Sequence, residues 1–207
     1  MIKIMSRVLG MVSTNCYLLI NPDNNESIIV DPADSPDLIK EMVEKSDTTP
    51  KAILLTHGHF DHVGAALELK STYGIKIYAS RHEEKLLASP DINLSSEYGM
   101  NISIVADVLL EDGEELNLAG FAIKAIHTPG HTAGSMCYYF AEESMLISGD
   151  TLFAYSIGRT DFPTSSSSDM MTSLRDKLAH LPKDTDVFPG HGECTTIGFE
   201  LENNPYM

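Results

Sequence analysis

The densest group of metal-ligand residues in this chain is the run His57-Gly58-His59-Phe60-Asp61-His62. Neutral imidazole and carboxylate are the ligands that zinc and similar divalent ions accept. The i, i+2 spacing of His57 and His59 lets both rings point the same way in an extended loop. Asp61 and His62 lie at the start of the next helix, displaced sideways, where they can address a second ion. The run therefore predicts a metal site for two ions.

Three further ligand-type side chains follow apolar strands elsewhere in the chain. They are His131 after Ala122–Ile126, Asp150 after Met145–Ile147 and His191 after Val187–Phe188. In each segment an apolar strand is followed by small residues and then by the ligand-type residue, so we expect the three to meet on one rigid rim of loops. His127 also lies at a strand end and could compete with His131, but its place before Thr-Pro-Gly favours a supporting or core role.

The elements that must position these residues follow from hydrophobic periodicity. The predicted strands are Ile2–Leu9, Cys16–Ile20, Ser27–Val30, Ala52–Leu55, Ile75–Ala79, Glu114–Leu118, Ala122–Ile126, Met136–Phe140, Met145–Ile147 and Val187–Phe188. Helices are expected from Pro36, over Val63–Tyr73, near Arg81–Leu87 and after Ser165–Ser168. Each half of the chain has strands first and helices after. This order predicts packed sheets with helices outside, in one domain over residues 1–207.

Composition excludes several classes of protein. The formal net charge of −16 repels a phosphate backbone, so we expect no nucleic-acid partner. The expected partner is a small-molecule substrate. Three scattered cysteines form no disulfide framework and suit a reducing compartment. No signal peptide and no apolar run of membrane-spanning length is present, which predicts a cytoplasmic protein without a membrane partner. The oligomeric state stays open.

With these residues in this order, the chain resembles the metallo-β-lactamase superfamily over essentially its whole length. The family pattern H-x-H-x-D-H, followed by His, Asp and His, is filled at all seven positions. The resemblance implies an α/β (α+β) fold, the four-layer αββα sandwich. It also implies two divalent metal ions, zinc first, with iron and manganese as alternatives. By resemblance, metal 1 is held by His57, His59 and His131, and metal 2 by Asp61, His62 and His191, while Asp150 bridges both together with a water or hydroxide.

Within the superfamily the chain is similar to the short glyoxalase II-like hydrolases. The carrying segments are Gly149-Asp150-Thr151-Leu152-Phe153, Ile157-Gly158-Arg159-Thr160-Asp161-Phe162-Pro163, and Gly190-His191-Gly192 with Thr195-Thr196-Ile197-Gly198, Glu200 and Asn204-Pro205. The resemblance implies hydrolysis of S-acylglutathione-type thioesters by a metal-bridging hydroxide, with Asp61 and Asp150 as the catalytic carboxylates. Full-length glyoxalase II enzymes add a helical region that holds glutathione, and here we expect no such extension after His191. Class B1 and B2 β-lactamases place a Cys ligand at the position of Asp150, which argues against antibiotic hydrolysis.

Two alternatives stay open. Persulfide dioxygenases share the first motif and a Gly-Arg-Thr-Asp-Phe stretch but use one iron, and the Gly-His-Gly ending at His191 favours the hydrolase. A non-catalytic metal-binding protein would need a closed site without exchangeable water.

Two residues near the site are candidates for substrate contact. Arg159 could meet a substrate carboxylate bidentately, or it could brace its loop through Asp161. The acid lies only two residues away, which favours the brace. Tyr155, in the same loop, could reach the site as a hydrogen-bond donor.

Overall fold

The structure is a computed structural model that describes residues 2–207. Two six-stranded sheets form its centre. The first contains, in spatial order, β1 (Lys3–Leu9), β2 (Thr14–Asn21), β3 (Glu26–Val30), β4 (Thr49–Leu54), β5 (Lys76–Ser80) and β6 (Val108–Leu110). Strands β1 to β3 pair antiparallel, and β3 to β6 pair parallel, as expected where helices connect them.

The second sheet follows later in the chain. Its strands are β7 (Glu115–Leu118), β8 (Phe121–His127), β9 (Met136–Phe140) and β10 (Met145–Gly149), with β13 (Asp186–Pro189) and β14 (Thr195–Thr196). Their spatial order is β14-β13-β10-β9-β8-β7. Between β10 and β13 a separate small hairpin consists of β11 (Leu152–Phe153) and β12 (Ser156–Ile157). Ala119 and Gly120 connect β7 to β8 with φ angles of 52° and 79°, the left-handed pair that a two-residue hairpin turn requires.

The helices are short. They are α1 (Pro36–Ser46), α2 (Phe60–Val63), α3 (Ala66–Tyr73), α4 (Glu84–Ala88), α5 (Ser167–Thr172) and α6 (Ile197–Asn203). Arg81–Glu83, Ser95–Tyr98 and Leu178–His180 form 3₁₀ turns, and Ser173–Lys177 forms a π-helical turn after α5. Within residues 2–207, no helix combines the length and apolar content of a membrane span.

Three apolar clusters show how the layers pack. Every residue of β2 is buried, and its side chains alternate between two clusters. Leu18 packs with residues of α1 and α3, whereas Leu19 packs with Tyr138 and Phe140 of the second sheet. A third cluster joins the outer face of the second sheet to α5 and α6 through Leu146, Met170 and Ile197. The layer order is helix, sheet, sheet, helix, which confirms the predicted αββα sandwich. The prediction of one domain over residues 1–207 includes Met1, which lies outside the described residues, and stays a prediction.

The main difference from the predicted elements is the helix expected over Val63–Tyr73, which is broken between α2 and α3. At the break the amide of Ala65 donates to the carbonyl of Pro32 at 2.9 Å, and a Cβ on Gly64 would lie 2.3 Å from the carbonyl oxygen of Ala33. The chain therefore packs backbone to backbone against the segment after β3, which periodicity along one helix cannot reveal. Strands β6, β11, β12 and β14 and helix α6 were not predicted, because most are too short to carry a period.

Candidate metal centre

The seven predicted ligand residues lie together at the carboxyl ends of four strands. His57 and His59 are in the loop after β4, and Asp61 and His62 are in α2, which follows it. His131 follows β8, Asp150 follows β10 and His191 follows β13. Their ligand atoms form three overlapping groups within which all atoms lie within 4.8 Å of one another: His57 with His59 and His131, His57 with His62 and Asp150, and Asp61 with His62 and His191.

Two of these groups correspond to the two metal sites implied by the family pattern. In the first trio, which is His57, His59 and His131, Nδ1 of His59 lies 2.9 Å from Nε2 of His131. In the second trio, which is Asp61, His62 and His191, Nε2 of His62 lies 3.4 Å from Nε2 of His191.

Asp150 lies between the trios. Its Oδ1 is 3.5 Å from Nε2 of His62, in the second trio, and its Oδ2 is 3.5 Å from Nε2 of His131, in the first. One carboxylate therefore reaches both groups, which is the geometry that a bridging ligand requires.

Two properties of the clustered side chains fit binding of divalent ions: buried ligand atoms without a hydrogen-bond partner, and neutral imidazole rings. Nε2 of His57 and Oδ1 of Asp150 are buried without a hydrogen-bond partner. A buried polar atom left in this way costs free energy, and coordination of a divalent ion would remove that cost. Burial, the largest cause, lowers the pKa of His57 well below its usual value and that of His59 to about 3. Both rings are therefore neutral and able to coordinate a metal.

The electrostatics of the second trio favour positive charge. Burial alone lowers the pKa of His62, but three neighbouring carboxylates outweigh burial and raise it to about 10. These carboxylates belong to Asp61, Asp150 and Asp31. A site that stabilises a proton on a fully buried ring also stabilises a metal cation placed among the same carboxylates.

Of the five histidines in the metal-ligand cluster, four have a second ring nitrogen that faces away from the cluster and contacts a neighbouring oxygen. Nδ1 of His57 lies 3.2 Å from Oγ1 of Thr56, Nδ1 of His62 lies 2.9 Å from Oδ2 of Asp31, Nδ1 of His131 lies 2.8 Å from the carbonyl oxygen of Arg159, and Nδ1 of His191 lies 3.3 Å from that of Ser13. Such contacts set the tautomer and the ring orientation of a ligating histidine.

Asp31 and Thr14 belong to this support, and sequence analysis missed both. Oδ1 of Asp31 accepts from the amide of Thr56 at 2.8 Å, and Oδ2 accepts from the hydroxyl of Thr56 at 2.6 Å. Oγ1 of Thr14 donates to Oδ2 of Asp61 at 2.8 Å. Asp31 directly follows β3, so the rule that located Asp150 after its strand could have found it. No comparable signal marks Thr14, which is buried within β2.

A cavity of about 620 Å³ opens onto the metal-ligand cluster. Its lining residues other than the ligands are Val12, Phe60, Leu94, Glu97, Tyr98, Phe153, Ile157, Arg159 and Phe162. Most are aromatic or aliphatic, and Glu97 and Arg159 are the two charged ones. The size and the apolar walls suit a small-molecule substrate.

The two residues proposed for substrate contact lie in different surroundings. Nε and Nη2 of Arg159 each donate to the Asp161 carboxylate at 2.9 Å, and the guanidinium lies 4.2 Å from the ring centroid of Phe162. Arg159 is therefore paired with Asp161 of its own loop and also lines the cavity, and its role as a brace stays a prediction. Tyr155 is 59% exposed, packs edge-on against Phe199 and is not among the residues that line the cavity.

His127 lies outside the ligand cluster. Its ring stacks on His82 with the centroids 4.6 Å apart, and its Nε2 lies 2.8 Å from the carbonyl oxygen of Ala133.

Comparisons with known proteins agree with this geometry. A family model described as the metallo-beta-lactamase superfamily matches residues 9–191. The chain is 38% identical to hydroxyacylglutathione hydrolase GloC of Haemophilus influenzae over 93% of this chain and 92% of that protein. It superposes on the BLEG-1 B3 metallo-beta-lactamase with a TM-score of 0.94, 39% identity and 99% coverage of both chains. A di-iron-bound form of TTHA1623 gives a TM-score of 0.88 and 33% identity, with 98% of this chain and 100% of that chain covered.

The matched segment includes all seven clustered side chains and extends over most of both sheets. The chain belongs to the metallo-β-lactamase superfamily and is a metal-dependent hydrolase of that superfamily.

Proposed function

We propose that this chain hydrolyses thioesters of small molecules, with S-acylglutathione-type compounds as the first class to test. The observation that carries the proposal is the cavity, which opens directly onto both trios and has mainly apolar walls. Within residues 2–207, no lysine and no histidine outside the ligand set lines it. The similarity to GloC along almost the whole chain supports this substrate class.

The seven clustered residues would hold two divalent ions, His57, His59 and His131 the first and Asp61, His62 and His191 the second, with Asp150 shared. When bound, such ions make water a nucleophile at neutral pH and polarise a carbonyl oxygen. Asp61 borders the cavity, and its carboxylate is held by the Thr14 hydroxyl at 2.8 Å, so it can orient an attacking water. Asp150, which reaches both trios, keeps the ligand sets at a constant separation.

The leaving group explains why the site can function without a strong general acid. A thiolate has a parent pKa of about 8.5 and departs without prior protonation. An amine released from an amide does need a proton. The apolar walls around Phe153 and Phe162 can bind the acyl chain and the thiol chain while excluding water from the reacting carbonyl.

We propose zinc as the metal. Iron is the alternative, because the similar TTHA1623 was crystallised in a di-iron-bound form.

The three cysteines are unpaired, which suits a reducing compartment, and we propose the cytoplasm as the location.

β-Lactam hydrolysis is a second candidate, favoured by the similarity to BLEG-1 over nearly the full chain. Both reactions add water to a carbonyl carbon, but the β-lactam leaves an amine that must gain a proton. Glu97, the only carboxylic acid in the cavity lining outside the ligand set, is the one group there that can be tested for that role.

The test combines metal analysis with a substrate panel. The purified protein is expected to contain two metal ions per chain by mass spectrometry and to cleave S-lactoylglutathione and simple acyl thioesters faster than a chromogenic cephalosporin. His59→Ala is expected to lose at least one ion and about 100-fold or more in kcat/KM. His180→Ala, at an exposed position away from the cluster, is the matched control. It is expected to keep both the wild-type metal content and the wild-type kcat/KM.

Retained metal and retained activity in His59→Ala would refute the site assignment. Faster cephalosporin cleavage would select the second candidate. Oxygen uptake with a persulfide substrate and one bound iron would select a dioxygenase instead.

A further inference from the structure

Glu83 is a buried carboxyl group located between two of the loops that carry metal-ligand residues. It ends the 3₁₀ turn after β5 and is 1% exposed. Its Oε1 accepts from the amide of Gly58 at 2.9 Å, and its Oε2 accepts from the hydroxyl of Thr132 at 3.0 Å. The amide of Gly134 is a further donor.

These three donors belong to the segments that hold the first trio. Gly58 lies between His57 and His59, and Thr132 directly follows His131. The packing is tight as well as polar, because a Cβ on Gly134 would lie 2.3 Å from Oε2 of Glu83. One side chain therefore connects the loop after β4 to the loop after β8.

Glu83 has no charged partner among the described residues, since none of the ion pairs in residues 2–207 includes it. Burial raises its pKa to about 7 despite the three hydrogen bonds. A carboxyl group in this setting is costly, and the hydrogen bonds to the two loops are what offset the cost.

We infer that Glu83 is a positioning residue for the first trio, which it aligns by holding the loops after β4 and β8 at a constant separation. The inference rests on the proposed two-metal centre. The second trio is held by other groups, namely Asp31 on His62 and Thr14 on Asp61. The consequence is that the two metal sites can be weakened separately.

The experiment is a Zn²⁺ titration of metal-free protein against a chromophoric chelator, for the wild type and Glu83→Gln. Glutamine replaces one acceptor oxygen with an NH₂ group, so at least one of the three donors loses its acceptor. We expect one Zn²⁺ site to weaken by about 10- to 100-fold, the range for residues that orient metal ligands. The other site should keep its wild-type affinity.

Glu200→Gln is the matched control. Glu200 is also fully buried, and it likewise accepts from a backbone amide, a threonine hydroxyl and a third donor: Tyr155 N at 2.8 Å, Thr195 Oγ1 at 2.6 Å and Asn204 Nδ2 at 2.8 Å. Those partners lie in the β11–β12 hairpin and near the end of the chain. Glu200→Gln is expected to lower the free energy of unfolding while both Zn²⁺ affinities stay at their wild-type values.

Three results would overturn the inference: two wild-type affinities in Glu83→Gln, equal weakening of both sites in that variant, or the same loss in Glu200→Gln. If Glu83→Gln does not fold, Thr132→Val keeps the Glu83 carboxyl group and removes the hydroxyl that donates to it at 3.0 Å and that also contacts Oγ of Ser135 at 2.8 Å. It is expected to weaken one site by about three- to tenfold, and an unchanged affinity there overturns the inference as well. The experiment measures metal affinity and not activity. Lack of thioesterase activity in the wild type would therefore refute the proposed reaction but would leave the inference about Glu83 unaffected.

Discussion

Nδ1 of His62 lies 2.9 Å from Oδ2 of Asp31, and both residues are almost completely buried. Asp31 comes from the end of β3, a strand that supplies none of the seven ligand residues. The same carboxylate accepts from the amide and the hydroxyl of Thr56, which precedes His57. Asp31 thus orients one histidine directly and holds the start of the loop that carries two others.

Replacing Asp31 with asparagine is expected to weaken Zn²⁺ binding by about 10- to 100-fold, mainly at the second trio. Asparagine keeps one acceptor oxygen, so it cannot accept from all three groups that the Asp31 carboxylate contacts, which are the amide and the hydroxyl of Thr56 and Nδ1 of His62. Calorimetric or chelator-competition titration measures the change. Asp37→Asn, at an exposed position where the carboxylate contacts only Lys40, is the control and should bind like the wild type. Wild-type affinity in Asp31→Asn would contradict the orienting role.

Gly190→Ala is expected to reduce metal content and to cost about 1–3 kcal/mol of stability through overpacking. A Cβ at this position would lie 2.2 Å from Oδ1 of Asp150 and 2.7 Å from the His62 ring. Metal analysis and chemical denaturation measure the two effects. Gly113→Ala separates crowding from backbone strain, because Gly113 has a φ of +76° but open space around it. That control should lose stability and keep its metal.

Arg159→Ala is expected to raise KM by about three- to tenfold, with kcat and metal content unchanged, because the guanidinium forms part of the cavity wall over Phe162. The side chain is removed while the carbonyl that contacts His131 remains. If Arg159 acts as a brace, its removal should raise KM by the same factor for thioesters of neutral thiols and for thioesters of anionic thiols. A loss confined to anionic substrates would instead show direct contact with a carboxylate.

Glu83 should make stability depend on pH between about 4.5 and 7. Burial raises its pKa from 4.5 to about 7 in the folded protein, so the folded state holds this proton more tightly than the unfolded chain. The stabilisation is complete below pH 4.5 and is lost as pH rises through 7, with a total change of about 3 kcal/mol at most. Denaturation of metal-free wild type and Glu83→Gln across this range isolates the effect. Their difference in unfolding free energy should fall with rising pH, and a constant difference would contradict it.

From the sequence by itself, the order of strands and helices predicted packed sheets with helices outside, and the family resemblance implied their αββα layers. The sequence also predicted which residues form the metal-ligand cluster. Local periodicity predicted most strands within a few residues, since a strand with one or two buried faces repeats its apolar pattern over four or more positions. Three of the ligand-type residues, His131, Asp150 and His191, could be located because each follows an apolar strand through small residues. The other four could be located because they form one dense run from His57 to His62.

Only the tertiary structure decided how those residues are supported. Asp31 reaches His62 across 31 positions, and Glu83 reaches Gly58 across 25 and Thr132 across 49. The break between α2 and α3 depends on the Pro32 carbonyl, and the position of Tyr155 depends on Phe199. Such contacts form between segments that are distant along the chain. Their identity is set by how the layers pack, because a buried carboxyl group is stable only where folding brings enough hydrogen-bond donors to it.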